Sequence, residues 1–377
     1  MQLDEVRAQI DEIDDQLINL LTRRMDCSLK VAEIKAAEGM VVYHPKREDF
    51  IFNKVRQKGG EYGEYLVELY RLLMECSRAL QHQSPPNTNP LVATINKAQE
   101  SLNITGDVAC YGQTGAFTHL ALKKAFNKNN VNPVFCPTFE KVFEAVKSGK
   151  TEFGIVPVEN SSAGSVNEVY DLILKYKLFI VGACSMPVSH NLLGLKGAKI
   201  SDIKAVYSHP QALSQCKTFL EENSLEGRVF SNTAAAAKQV ADLGDITIGA
   251  IGSTLCADEN NLDIIAPNIQ SFENNQTRFI VISKHPVIPK DSNKISLVFS
   301  LSHTPGSLQK ILTRFSLHGL NLTKLESRAG KNGDFETQFY LDFDGNVAQV
   351  KTLSLLCSLL AELNDFSFLG NYKEIIL

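Results

Sequence analysis

The sequence predicts a multidomain chain: an all-α block, then a two-lobed α/β block, then a small α+β block of ferredoxin-like βαββαβ order. Three observations predict it. Through the first 38 residues, apolar side chains recur at alternating three- and four-residue spacing, the period of a helix seam. From Asp107 to Ser283, short apolar strands such as FGIVPV and ITIGAIG alternate with helical patterns such as GAFTHLALKKAF and VNEVYDLILKY. Residues 295–377 read strand, helix, strand, strand, helix, strand. The expected divisions are 1–83, a linker at 84–105, 106–285 and 294–377, with Ser84 to Pro90 (SPPNTNP) a linker by composition and Pro286 and Pro289 marking the last boundary.

Composition narrows the function classes. A chain of 377 residues suits two or three domains, and 44% apolar with 21% charged residues is ordinary for a globular protein. A formal charge of −4 argues against a nucleic-acid surface. No apolar run approaches membrane-spanning length. Asp4 and Glu5 stand where a secretory signal would be basic, so a cytoplasmic protein is expected. Eight cysteines are scattered without a CxxC pair, which fits reduced thiols and offers no metal site. Neither GxGxxG after a strand nor GxxxxGK[ST] occurs, so neither a dinucleotide nor a nucleotide triphosphate site is expected.

The first helix carries its seam on Leu3, Val6, Ile10, Ile13, Leu17, Leu20, Cys27, Val31 and Ile34. The missing seam position is 24, and it holds an arginine. A guanidinium in a helix–helix seam is costly unless an anion meets it. Lys35 lies three turns on, within ~20° of Arg24 on an ideal helix and ~16 Å along the axis. The two cations can share one small polyanion. Arg7 is ~25 Å from Arg24, too far for the same ligand unless a second copy supplies it. A first helix ~54 Å long also exceeds what two shorter helices can cover, which again predicts an intertwined homodimer or higher homo-oligomer. Gly39 ends that helix. Pro45 opens a second that runs to about Gln57 and begins with Arg47 and Glu48. The third runs from Tyr62 to about Gln83, and Ser77 and Gln81 share one of its faces.

The set Arg7, Arg24, Lys35, Arg47, Glu48, Ser77 and Gln81 resembles the all-helical chorismate mutases. The resemblance implies a swapped helical dimer that rearranges chorismate to prephenate by a pericyclic shift. Such a site only holds two carboxylates and stabilises charge on the breaking ether oxygen. By that resemblance, Arg24 and a second copy's Arg7 bind the carboxylates, Lys35 and Gln81 donate to the ether oxygen, and Glu48 takes the substrate hydroxyl. Arg47 and Ser77 complete the site. His44 departs from the family, which often has Asp there.

In the central block, Gly112–Gly115, Glu159–Gly164, Ser208–Gln211 and Gly252-Ser253 have helix-start chemistry able to present N–H groups to a carboxylate. The motifs YGQTGAFTHLA, VPVENSSAG, YSHPQALSQC and NQTRF resemble prephenate dehydratase, over about 107–284. That family's reaction expels the ring hydroxyl and the ring carboxylate of prephenate together, giving phenylpyruvate. It therefore needs a donor at the departing oxygen. The resemblance assigns that donor to Thr277, with Asn160 and Gln215 supporting it and Glu159, Ser161, Ser208 and His209 around the substrate. Arg278 is a candidate carboxylate clamp or a structural salt bridge. His209 reads as a general base or as a packed turn.

In the C-terminal block, Gly306, Ser307 and Leu308 at a strand-to-helix turn and Glu326, Ser327 and Arg328 at a strand end resemble the effector motifs of ACT domains, where L-phenylalanine binds between paired domains. Gln309 and Ala329 depart from the family pattern. Together the resemblances imply a bifunctional, cofactor-free enzyme of phenylalanine biosynthesis acting on chorismate and prephenate. Two competitors are a mutase coupled to prephenate dehydrogenase, which would need the absent glycine fingerprint, and a non-enzymatic metabolite sensor, against which NQTRF, Asn160 and Gln215 argue.

Overall fold

The computed structural model describes residues 3–40, 42–81, 89–126, 130–271, 275–329, 337–363 and 365–377. Most of the expected linker at Ser84 to Pro90, and the expected end of the third helix at 82–83, lie outside the described residues. The chain forms two compact units, Met1–Lys97 with Lys294–Phe368, and Ala98–Asn293 with Leu369–Leu377.

The helical block consists of α1 (Leu3–Glu38), α2 (Pro45–Gly59), α3 (Gly63–Gln81) and a short α4 (Pro90–Asn96). Asp4 and Glu5 in the first turn of α1 and Lys35 in the last complement the helix dipole. His44 caps α2, its Nδ1 accepting from the Arg47 N–H at 3.2 Å. It does there what an aspartate does in the same position. The turn into α3 needs a glycine: a Cβ at Gly63 would stand 2.5 Å from the Arg56 carbonyl oxygen. Phe52, Val67 and Met74 form the small core between α2 and α3.

The central block opens with β1 (Gly106–Tyr111), α5 (Phe117–Phe126), β2 (Val131–Cys136), α6 (Phe139–Ser148), β3 (Phe153–Asn160), β4 (Gly164–Ser165), α7 (Asn167–Tyr176) and β5 (Phe179–Pro187). These form the first lobe. The second follows as β6 (Asn191–Gly194), β7 (Ala205–Ser208), α8 (Pro210–Gln215), α9 (Lys217–Glu222), β8 (Glu226–Val229), α10 (Thr233–Leu243), β9 (Ile248–Gly252), α11 (Thr254–Asn260) and β10 (Asp263–Ala266). Then β11 (Gln276–Ser283) returns to the first sheet between β5 and β3. The second sheet runs β10-β6-β9-β7-β8. The chain therefore crosses between lobes twice, after β5 and before β11, and both crossings bring polar residues to the cleft. Strands β3, β5, β6, β9 and β11 have apolar, nearly fully buried centres, as strands covered on both faces require, while the edge strand β8 is exposed along its length.

The C-terminal block continues with β12 (Lys294–Leu301), α12 (Ser307–Leu317), β13 (Leu322–Ala329), β14 (Thr337–Asp344), α13 (Val350–Glu362) and β15 (Ser367–Tyr372), in a four-stranded sheet of order β13-β14-β12-β15. Phe299, Ile311, Phe315, Phe343 and Leu355 are buried there. The last strand, β16 (Glu374–Ile376), pairs in parallel with β5, inside the second unit. No described helix is long and apolar enough to cross a membrane.

Candidate active sites

On α1 most of the apolar seam is exposed within one chain, while the cations reach neighbouring elements. Leu3, Ile10, Ile13, Leu17, Leu20, Val31 and Ile34 are exposed, Ile34 at 57%. Arg24 and the buried Ser28 turn instead toward α3. Arg24 holds the position in the stripe that the spacing predicts, within about 20° of Leu17 and Val31 on an ideal helix, and it is there that α1 meets α3. Its Nη1 donates to Ser77 Oγ at 2.7 Å and its Nη2 to Met74 Sδ at 3.3 Å. Lys35 Nζ donates to the Val42 carbonyl. Burial holds the Lys35 amine below the usual lysine range, against the pull of nearby Glu48. Gln81 follows Ser77 by one turn, and its buried carboxamide oxygen has no hydrogen-bond partner among the described residues. Arg47 lies exposed over the Phe50 ring. Arg7 does not join the group. It is largely exposed and bonds Asp4 on its own helix.

The chain thus gathers Arg24 with Ser77 and Lys35 with Glu48, all on helix faces that meet, and leaves Arg7 several turns away. Two fixed cations and a neutral amide suit a dicarboxylate better than any reaction that needs a strong base. The sequence reading missed Arg78, which is 4% exposed and forms ion pairs with both Glu48 and Glu75. The available signal was a Glu75–Arg78 pair, three residues apart, among apolar positions on α3.

In the central block, strand pairing makes the site. Asn160 ends β3 and sits opposite Thr277 near the start of β11. Asn160 Nδ2 donates to Thr277 Oγ1 at 2.8 Å and to Asn275 Oδ1 at 2.9 Å. Its Oδ1 accepts from Ser162 Oγ at 2.6 Å and from the N–H groups of Ser162 and Ala163. These bonds fix which way the Asn160 amide faces. Because the Thr277 oxygen accepts from Asn160, the Thr277 proton is left to donate elsewhere.

Gln215, at the end of α8, joins from the second lobe. Its Nε2 donates to Ser162 Oγ, and its Oε1 accepts from Asn275 Nδ2 at 3.2 Å and lies 2.7 Å from His190 Nε2. An amide oxygen only accepts, so His190 carries its proton on Nε2. His190 is 3% exposed, its Nδ1 has no partner among the described residues, and burial holds its pKa below the usual histidine value. Phe117 meets the ring edge-on at 5.6 Å. No sequence pattern pointed to His190. Asn275 and Ser162 lay within the quoted motifs but were not singled out.

The remaining candidates divide. Ser161 Oγ accepts from the Gln276 N–H at 2.9 Å, which ties the Glu159–Gly164 turn to β11. Glu159 faces Arg278 across the strands. Arg278 resolves as a salt bridge: its Nε pairs with Glu374 and its Nη2 donates to Tyr372 Oη at 2.7 Å. Successive strand residues point to opposite faces, so Arg278 cannot share Thr277's side. Ser208 is wholly buried and donates to the Ile251 carbonyl at 2.9 Å. His209 is an exposed N-cap of α8, its Nδ1 accepting from the Gln211 N–H at 3.3 Å. The Gly112–Gly115 turn meets α11, where Ser253 Oγ donates to the Gly115 carbonyl at 2.8 Å. A Cβ on Gly115, at φ +89, would press on Cys256 at 3.1 Å. Of the four anion-suited turns, two meet at Gly115–Ser253, and the Glu159–Gly164 turn meets Gln215 at the end of the helix that the Ser208–Gln211 turn opens.

In the C-terminal block, Gly306, Ser307, Leu308 and Gln309 line a pocket of about 640 Å³ with Thr304, Thr337 and Phe339. Glu326 and Arg328 bond each other on one face of β13, Arg328 lying over the Tyr340 ring, while Ser327 faces the other way and Ala329 ends the strand. That strand does not line the pocket within one chain. Among the described residues no cluster of His, Cys, Asp and Glu could hold a metal ion.

Comparison with known proteins adds to this geometry. A family model described as chorismate mutase type II matches residues 6–82, and one for prephenate dehydratase matches residues 108–287. A bifunctional chorismate mutase/prephenate dehydratase of Aquifex aeolicus (strain VF5) is 32% identical over 383 residues, covering 100% of this chain and 99% of that protein. Among solved structures, the quorum-quenching acylase GqqA superposes with a TM-score of 0.65 at 31% identity, over 71% of this chain and 98% of that one. The prephenate dehydratase of Arthrobacter aurescens, solved in complex with L-Phe, gives 0.64 at 28% identity, over 72% and 90%.

Proposed function

Because the chain belongs to the family of bifunctional chorismate mutase/prephenate dehydratases, we propose that its two sites work in succession and that the residues named above carry them. The chain is an enzyme of phenylalanine biosynthesis that rearranges chorismate to prephenate and then dehydrates and decarboxylates prephenate to phenylpyruvate.

In the mutase, Arg24 and Arg7 of a second copy take the two carboxylates. Lys35 and Gln81 meet the ether oxygen, Glu48 takes the hydroxyl, and Arg47 and Ser77 complete the enclosure. The orphaned Gln81 and the exposed apolar face of α1 support this reading, since a second copy laid along α1 would cover that face and bring Arg7 in. In the dehydratase, the carrying observation is the Asn160–Thr277 hydrogen bond. It polarises the Thr277 hydroxyl and turns its proton toward the departing ring hydroxyl. The C–O and C–CO₂ bonds break together. The ring becomes aromatic, CO₂ leaves, and the hydroxyl departs as water with one proton taken up. Gln215 holds Ser162 and Asn275 in place across the cleft.

An acyl-transfer reading, as for GqqA, needs a nucleophile beside a base. Thr277 meets an amide donor instead, which favours donation over attack. The C-terminal block has the strand order of an ACT domain, and its turn pocket at Gly306–Leu308 would take L-phenylalanine, closed by Glu326–Arg328 of a second copy. The protein is a cytoplasmic homodimer or larger homo-oligomer on this reading. The test is to supply chorismate to the purified chain and follow both products. Prephenate and then phenylpyruvate are expected; absence of the second removes the dehydratase assignment, and absence of the first removes the mutase.

A further inference from the structure

Glu48 is not held by the helical block alone. Its carboxylate pairs with Arg78, Arg78 pairs with Glu75, and Glu75 Oε2 accepts from Arg314 Nε of α12 at 2.8 Å. Arg314 Nη2 also binds Glu362 at the end of α13, and Glu362 lies 3.9 Å from Arg78 Nε. Lys310, one turn before Arg314, stands 4.0 Å from Glu75. Lys310 and Arg78 both lie over the Tyr43 ring, at 5.3 and 5.2 Å. Tyr43 is next to Val42, whose carbonyl receives Lys35. Both Lys35 and Glu48 thus rest on a junction half built by the C-terminal block.

Stability does not explain this junction. Glu75, Arg78 and Arg314 are 3–5% exposed. Among the described residues, Arg78 Nε, Arg314 Nη1 and one oxygen of Glu362 find no hydrogen-bond partner. A buried ionic network with unsatisfied groups is no more stabilising than apolar packing of the same volume, and is often less so. What such a network does supply is fixed geometry, since each charge has only one low-energy place.

We propose that Arg314 is a positioning residue of the mutase site, acting through Glu75 and Arg78 to set the placement of Glu48. It touches no substrate. The consequence is that α12, which opens on the Gly306-Ser307 turn, is coupled to the first reaction. A shift of α12 moves Arg314, leaves Glu75 and Arg78 to re-pair, and releases Glu48.

The inference rests on the mutase reading of Glu48, and the test separates the two. In the full chain, mutase and dehydratase activities are measured for the unsubstituted protein, Arg314→Met, Glu48→Gln and the double variant. The expected result is a mutase kcat/KM about tenfold lower in Arg314→Met, with dehydration of supplied prephenate unchanged. In the Glu48→Gln background, Arg314→Met should cost less than about twofold more, because its effect passes through Glu48. Arg314→Lys, which keeps the charge but not the fork that reaches both Glu75 and Glu362, should fall between, and it carries the same cycle should Arg314→Met fail to fold. Equal losses from Arg314→Met with and without Glu48, or no loss at all, overturn the inference alone. An unsubstituted chain without mutase activity overturns the reading of the site and the inference with it.

Discussion

As proposed, the mutase and dehydratase sites hold their anionic substrates by opposite means. The proposed mutase site is a set of charges on helices: Arg24, Lys35 and Glu48, with Arg78 behind them. The proposed dehydratase site is a set of neutral groups at strand ends, in a turn and at the end of α8: Asn160, Asn275, Thr277, Ser162 and Gln215, bonded to one another. Charge attracts and orients a dicarboxylate but needs the whole set in place, and Arg7 is not in place within one chain. Neutral amides bind less strongly, yet two lobes of one chain assemble them completely. A helix presents one residue per turn to a given ligand, so a helical site spreads over several helices and invites a second copy. Paired strands put two side chains side by side at once, as they do for Asn160 and Thr277.

The sharpest break in the comparison is separation of the activities. Lys35→Ala should lower mutase turnover by at least about a hundredfold and leave dehydration of supplied prephenate intact, while Thr277→Ala should do the reverse. Loss of both activities in either folded variant would mean one shared site. Completeness is tested by mixing inactive variants under conditions that allow subunit exchange. Arg7→Ala mixed equally with Lys35→Ala should regain about a quarter of the mutase activity, since half of the dimers then hold one undamaged site. Thr277→Ala mixed with Gln215→Ala should regain no dehydratase activity, because both residues come from one chain. Recovery in the second mixture, or none in the first, would reverse the assignment of shared and private sites.

The two regions were also unequally legible in the sequence. Helix periodicity revealed α1 and its cations, because 3.6-residue spacing is a local property of the chain. It did not reveal that Arg24 would meet Ser77 and Met74, since which part of α1 packs on α3 depends on contacts that a one-dimensional repeat does not contain. Thr277, Asn160 and Gln215 came from motifs, and the β3–β11 register that joins the first two spans more than a hundred residues of chain. His209 drew attention as a histidine in a polar turn and proved to be a helix cap. His190, between two strands and without a motif, gave no sign of its place beside Gln215. Arg314 and Glu75 stand 239 positions apart, so their pairing could only come from the fold.

His190 sharpens the comparison on the dehydratase side. Its Nε2–H fixes the Gln215 oxygen, which leaves the Gln215 amine to Ser162. His190→Asn should lower dehydratase kcat by about tenfold without touching the mutase, and combining it with Gln215→Ala should add little, since both act on one network. An unchanged kcat would show that Gln215 needs no such partner.

The smallest effect is one of pH, and it falls on the same residue. Burial holds His190 neutral in the fold below its ordinary pKa of 6.5, while the bond to Gln215 opposes this weakly. In the unfolded chain the imidazole takes up a proton as pH drops through about 6.5. Protonation then favours the unfolded state. The contribution of a neutral His190 to stability is complete above 6.5 and is lost as pH falls below it. The thermal midpoint of the dehydratase unfolding transition should therefore decline between about pH 7.5 and 5.5, and decline less in His190→Asn. Nearly enclosed His119, whose Nδ1 accepts from the Gly115 N–H and whose pKa burial and Lys123 also lower, accounts for a remaining slope in that variant. An identical slope with and without His190 would place the acid sensitivity elsewhere, and the polar network of the cleft would then be as indifferent to pH as its neutral side chains alone require.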